Sequence, residues 1–143
     1  MDDLVYRSMY SQSGSLPEGA TSILVVDDEP HIREFMQALL EDEGYQVDIA
    51  PNAHEALKIA RTSSPDLVLS DISMPGATGV ELYTWLMKEE LTPRMMFMSA
   101  VTPRTPLPSV PFIEKPFDID DLLEKVSGEL AMESEQFPSP ASD

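Results

Sequence analysis

The chain has no cysteine, which excludes disulfides, thiolate nucleophiles and cysteine-ligated zinc. Basic residues are scarce: nine Lys and Arg stand against 26 Asp and Glu, a formal net charge of −17 over 143 residues. A surface of that sign repels phosphate backbones and anionic lipid, which argues against nucleic acid or a membrane surface as a direct partner. Long hydrophobic runs are missing as well. Runs such as Ile23-Leu24-Val25-Val26 and Met95-Met96-Phe97-Met98 stop at four residues, far short of the roughly 20 that a spanning helix needs. The N-terminus opens Met1-Asp2-Asp3 with no basic stretch leading into an apolar one, so no secretory signal is read there. The expectation is a cytoplasmic protein of a reducing compartment.

What is present suffices for one packed domain, with 42 % apolar residues against the entropy of ordering the chain. Residues 1–20, rich in Ser, Gln, Gly and Pro, read as a flexible leader, and 132–143, rich in Ser, Pro and Glu, as a disordered tail. The ordered domain is expected over 21–131. Within it, buried-strand runs alternate with helix-period segments. Strands are expected at Ile23 to Val26, Tyr45 to Ala50, Leu67 to Leu69, Met95 to Met98 and Phe112-Ile113. Ile32, Phe35, Met36, Leu39 and Leu40 recur at helical spacing after Pro30, and Gly44 supplies a stop. Asn52 with Glu55 three residues on opens a second helix, Val80 to Lys88 forms a third, and Asp118 caps a last one carrying Leu122, Val126 and Leu130. Strands apolar on both faces and alternating with helices predict an α/β fold, an open doubly wound parallel sheet of five strands.

Open parallel sheets bind ligands at the carboxyl ends of their strands. Strand one delivers Asp27 and Asp28 there, strand three Asp71, strand four Ser99 and strand five Lys115. Alone, each has an ordinary explanation: a helix lead-in, a turn residue, a strand-end hydroxyl, a solvated amine. Their convergence on one edge is the informative feature. Three carboxylates repel unless a cation sits among them. Oxygen ligands without His or Cys suit Mg²⁺, which works beside phosphate. Lys115 adds a point charge for a phosphoryl oxygen, and a carboxylate held between two cations can attack phosphorus.

At these positions the sequence resembles the receiver domain of bacterial two-component response regulators, a flavodoxin-like fold. The resemblance rests on Val25-Val26-Asp27-Asp28-Glu29-Pro30, on Asp71-Ile72-Ser73-Met74-Pro75-Gly76-Ala77-Thr78-Gly79, on Met98-Ser99-Ala100 and on Lys115-Pro116-Phe117, in the family's order over residues 22–130. It implies that Asp71 is the phosphoacceptor, taking its phosphoryl group from a histidine kinase or phosphotransfer protein. It further implies Mg²⁺ held by Asp28, Asp71 and the backbone carbonyl of Ser73, with Asp27 acting through water. Ser99 matches the switch hydroxyl, Phe112 the switch aromatic, the Ala100 amide part of the anion cradle, and Pro116 the family's cis peptide after the lysine. The implied protein is not an enzyme with a separate substrate, carries no DNA-binding output domain, and signals to a downstream protein by a conformational switch or by phosphotransfer.

One stretch departs from the family. Between Ser99 and Lys115 lie Pro103, Pro106, Pro108 and Pro111, which break the ladder a helix needs. The fourth helix of the family is therefore expected to be lost or shortened, which puts dimerisation through its usual face in doubt. Two other readings use the same residues. One is a phosphate-independent interaction module with the receiver fold. The other is a Mg²⁺-dependent phosphohydrolase, although such enzymes favour Asp-x-Asp after strand one and a cap over the site, and neither is present.

Overall fold

The alternation of apolar runs and helical segments resolves into nine elements in a computed structural model, which describes residues 21–91, 93–100 and 110–136. In chain order these are β1 (Ser22–Val26), α1 (Pro30–Asp42), β2 (Gln46–Ala50), α2 (Ala53–Ser63), β3 (Leu67–Asp71), α3 (Gly79–Lys88), β4 (Arg94–Ser99), β5 (Phe112–Glu114) and α4 (Ile119–Gln136). The five strands form one sheet in the order β2-β1-β3-β4-β5, and every pairing is parallel. This is the doubly wound architecture expected from the sequence.

Two-residue periodicity explains why the strands are apolar throughout. Ile23, Val25, Leu67, Leu69, Met96 and Met98 face one side, where Met36 and Leu40 of α1 and Leu122 and Val126 of α4 cover them. Leu24, Val26, Val68, Met95 and Phe97 face the other, against Ala53, Ala56 and Ala60 of α2 and Leu82 and Leu86 of α3. The alanine stripe lets α2 lie close to the sheet. Both faces are buried, as a parallel sheet requires.

Local signals set the helix ends. Pro30 occupies the first turn of α1, and Gly44 beyond its end takes a φ of +99°. Asn52 accepts from the Glu55 amide (2.8 Å) at the start of α2. The reciprocal capping box forms instead at α3, between Thr78 and Glu81.

Phe35, placed on the inward face of α1 by its spacing, is 43 % exposed, because Met36 and Leu40 already fill the contact with the sheet. The last helix runs to Gln136, past the boundary expected at 131; Ala131, Met132, Glu133 and Glu135 are residues that favour a helix. The leader 1–20, residues 137–143 of the tail and segment 101–109, where the fourth helix was expected to be lost, lie outside the described residues.

Burial ranks the consequences of truncation. Leu40→Ala, at a fully buried position, is expected to lower the unfolding free energy by about 2–5 kcal/mol. Phe35→Ala should change it by no more than about 0.5 kcal/mol. Urea melts of the two variants check the ranking.

Candidate functional site

The chain leaves β1 for β2 on one side and then returns for β3 on the other, so a crevice opens above the carboxyl ends of β1 and β3. Asp27 and Asp28 follow β1, Asp71 is the last residue of β3, Ser99 ends β4, and Lys115 follows β5. The crevice is a cleft of about 290 Å³ lined by Asp28, Glu29, Ile32, Asp71, Ser73, Ser99, Ala100 and Lys115.

Asp27, Asp28 and Asp71 each present a carboxylate oxygen, all within 4.8 Å of one another. Lys115 Nζ reaches two of them, at 2.7 Å from Asp27 Oδ2 and 3.4 Å from Asp71 Oδ2. Asp27 is fully buried and fully engaged, since its Oδ1 accepts from the Glu29 amide (3.0 Å). Asp71 Oδ1 accepts from the Ser73 amide (3.3 Å). The exposed Asp28 carboxylate has no bonded partner among the described residues.

Charge decides what this cluster can hold. Three carboxylates meet a single ammonium among the described residues, which leaves two negative charges uncompensated. A hard divalent cation fits that deficit and that oxygen-only donor set. Burial pushes the Asp71 carboxyl above its usual range, and the neighbouring Asp27 charge adds to this, against the opposing pull of Lys115. Burial works against the charged form of Lys115, but its hydrogen bond to Asp27 and the charges of Asp27 and Asp71 outweigh this and raise its pKa.

The structure thus brings Asp27, Asp28, Asp71, Ser73, Ser99, Ala100 and Lys115 together. The Lys115 amide donates to the Ser99 carbonyl (2.7 Å), and the Lys115–Pro116 peptide is cis. Phe112 stands apart: it pairs with Phe97 in the β4–β5 register and packs, half-buried, against the α2–α3 side of the core. Sequence reading missed Arg33, whose Nη1 donates to the Asp27 carbonyl (2.8 Å). A basic residue one turn into the helix after the acidic pair was the available signal. His31 and His54 are exposed, and His54 lies against Trp85 with ring centroids 5.0 Å apart. Among the described residues no helix is long and apolar enough to cross a membrane.

Comparison with known proteins fixes the family. The model of the response regulator receiver domain matches residues 23–127. The chain belongs to that family. Sporulation initiation phosphotransferase F of Bacillus subtilis is 33 % identical over 118 residues, covering 78 % of this chain and 95 % of that protein. Other curated relatives are longer than the match, and the chain spans 46 % and 32 % of two of them. Among solved structures, the response regulator TrrA of Thermotoga maritima, in complex with Mg²⁺-BeF, is 39 % identical with a TM-score of 0.70, covering 76 % of this chain and 98 % of that one. TrrA in complex with the histidine kinase ThkA gives 38 % identity and a TM-score of 0.69, covering 77 % and 98 %. Receiver domains are signalling domains of phosphorelays, and the acidic cleft lies at the strand ends of this one.

The raised Asp71 carboxyl has a consequence for this receiver domain. A carboxyl whose folded pKa exceeds its unfolded one costs stability when ionised, and the cost fades as pH falls through the folded pKa. Without divalent ions, Asp71→Asn is expected to raise the melting temperature at pH 7, with the difference closing on acidification. Differential scanning fluorimetry across pH reads this directly.

Proposed function

We propose that this receiver domain accepts a phosphoryl group on Asp71 from the phosphohistidine of a histidine kinase or phosphotransfer protein. An Asp71 carboxylate oxygen forms the new P–O bond while the donor's P–N bond breaks, and that bond's electron pair stays on the imidazole nitrogen. The supporting observation is the cluster itself: three carboxylates within 4.8 Å with Lys115 at 2.7 and 3.4 Å from two of them.

Mg²⁺ is the proposed cofactor, held by Asp28, Asp71 and the Ser73 carbonyl; when bound it neutralises charge on the phosphoryl oxygens. Asp27 acts through water, in keeping with two oxygens already taken by Lys115 and the Glu29 amide. Lys115 supplies the second positive charge, the Ser99 hydroxyl and the Ala100 amide bond to the transferred group, and Pro116 orients the lysine. Phe112, next to Phe97, follows Ser99 as the switch aromatic.

The domain turns over no separate substrate beyond loss of its own phosphoryl group. It works in the cytoplasm and passes its state to a downstream protein by contact or phosphotransfer. Support for the kinase as partner comes from TrrA, whose structure was determined with one. A relative named as a phosphotransferase, matched over 95 % of its length, supports a phosphorelay role.

Incubation with Mg²⁺ and phosphoramidate is expected to add one phosphoryl group by intact mass, with none added to Asp71→Asn. Chelation by EDTA should abolish the gain, and Asp28→Asn should reduce it by at least about tenfold. An unmodified mass for wild type, with Mg²⁺ and donor in excess, overturns the proposal.

A further inference from the structure

The main chain at the end of β3 is held in an unusually complete way. Ser70, one residue before Asp71, is fully buried on the α2–α3 side of the sheet, and its hydroxyl donates to the Asp71 carbonyl (2.9 Å). Gly79, the first residue of α3, lies against the same carbonyl. A Cβ at Gly79 would overlap the Asp71 carbonyl oxygen and come within 3.1 Å of both Ile72 Cα and Ser70 Oγ. The other side of the same peptide is fixed too, since the Ile72 amide donates to the Met98 carbonyl, and the following peptide is held through its Ile72 carbonyl, which accepts from the Gly79 amide, each at 2.9 Å.

These contacts act on one torsion. The peptide joining Asp71 to Ile72 has its N–H tied to β4 and its C=O trapped between the Ser70 hydroxyl and the bare Cα of Gly79. That restrains ψ of Asp71, and with it the direction of the Cα–Cβ bond from which the carboxylate projects. The same peptide leads into Ser73, so the clamp also sets the orientation of the loop that lines the cleft. The constraint is stiff because α3 begins in a closed capping box, with Thr78 N to Glu81 Oε1 at 2.9 Å and Glu81 N to Thr78 Oγ1 at 3.1 Å.

We propose that Ser70 and Gly79 are positioning residues for phosphoryl acceptance, clamping the Asp71 peptide so that its carboxylate is presented at a fixed angle to the donor. The proposal rests on the reading of Asp71 as acceptor. Neither residue touches the transferred group; both act through the Asp71 main chain. Misplacing a reacting group by about 1 Å can cost roughly a hundredfold in rate.

The test follows intact mass over time at saturating Mg²⁺ with phosphoramidate, for wild type, Ser70→Ala, Gly79→Ala and the core variant Leu40→Ala. Gly79→Ala is expected to slow phosphorylation by about tenfold or more, and Ser70→Ala to slow it less but in the same direction. Leu40→Ala, destabilised at a site remote from the clamp, should keep the wild-type rate at a temperature where it is folded. Ser70→Ala introduces no clash, so it decides the matter should Gly79→Ala fail to fold. Wild-type rates in Ser70→Ala and in any folded Gly79→Ala overturn the proposal, as does an equal slowing in Leu40→Ala. A wild-type chain that takes no phosphoryl group overturns the acceptor reading and the clamp with it, a pattern distinct from slowing confined to the two clamp variants.

Discussion

The buried ion pair between Lys115 and Asp27 is the interaction on which the cleft depends. Asp27 is withdrawn from solvent entirely, and a carboxylate in that position persists as an anion only if a cation and hydrogen bonds meet it. The ammonium at 2.7 Å and the Glu29 amide at 3.0 Å do so. Yet Lys115 serves Asp71 as well, at 3.4 Å, and one positive charge cannot balance three negative ones. The cleft is therefore built with a standing charge deficit. A purely structural cluster would be expected to close that deficit with a second cation bonded to a carboxylate, whereas Arg33 bonds the Asp27 main-chain carbonyl instead, and a site for a dication and a phosphoryl group has reason to leave the deficit open.

The fold makes this arrangement possible by what it does with its charges elsewhere. A parallel sheet buried on both faces has little room for polar groups along its strands, so they gather at strand ends. β1, β3, β4 and β5 all deliver polar residues to the same edge, and the crossover between β2 and β3 opens the gap into which they project. Of the buried polar residues, Asp27, Asp71 and Ser99 belong to this edge, and Ser70 lies directly beneath it. Stability is sacrificed at the edge, as the raised Asp71 carboxyl indicates, and the two apolar layers below supply it.

Much of this was legible in the sequence because the signals were local and strong. Apolar runs bounded by acids located β1 and β3, and the acids just beyond those runs are Asp27, Asp28 and Asp71. Lys115 was legible only as one of an ordered set, since a lone lysine after a three-residue strand says little. Periodicity failed where the partner surface decided the outcome. Phe35 has the right spacing for the core and lies outside it, because an apolar stripe can be wider than the sheet contact it meets. Arg33 escaped notice because its role is a bond to a main-chain carbonyl, and main-chain geometry leaves almost no mark on side-chain pattern. Gly79 shows the same limit: the sequence displayed the glycine, but the overlap that requires it exists only once α3 is set against β3.

The link between Ser99 and Lys115 shows how a change at the cleft can travel. The Lys115 amide is bonded to the Ser99 carbonyl at 2.7 Å, while its ammonium is bonded across the cleft to Asp27 and Asp71. The end of β4 and the residue after β5 are thus one mechanical unit, tied at one end by main chain and at the other by charge. A ligand shifts a conformational balance only through contacts that differ between the states. In the proposed function, a phosphoryl group on Asp71 adds negative charge beside an ammonium now closer to Asp27, and so changes the balance of attraction acting on Lys115. The main-chain bond fixes the base of the lysine to Ser99, so its flexible stem takes up a small shift of the ammonium toward Asp71, and a larger one bears on the ends of β4 and β5.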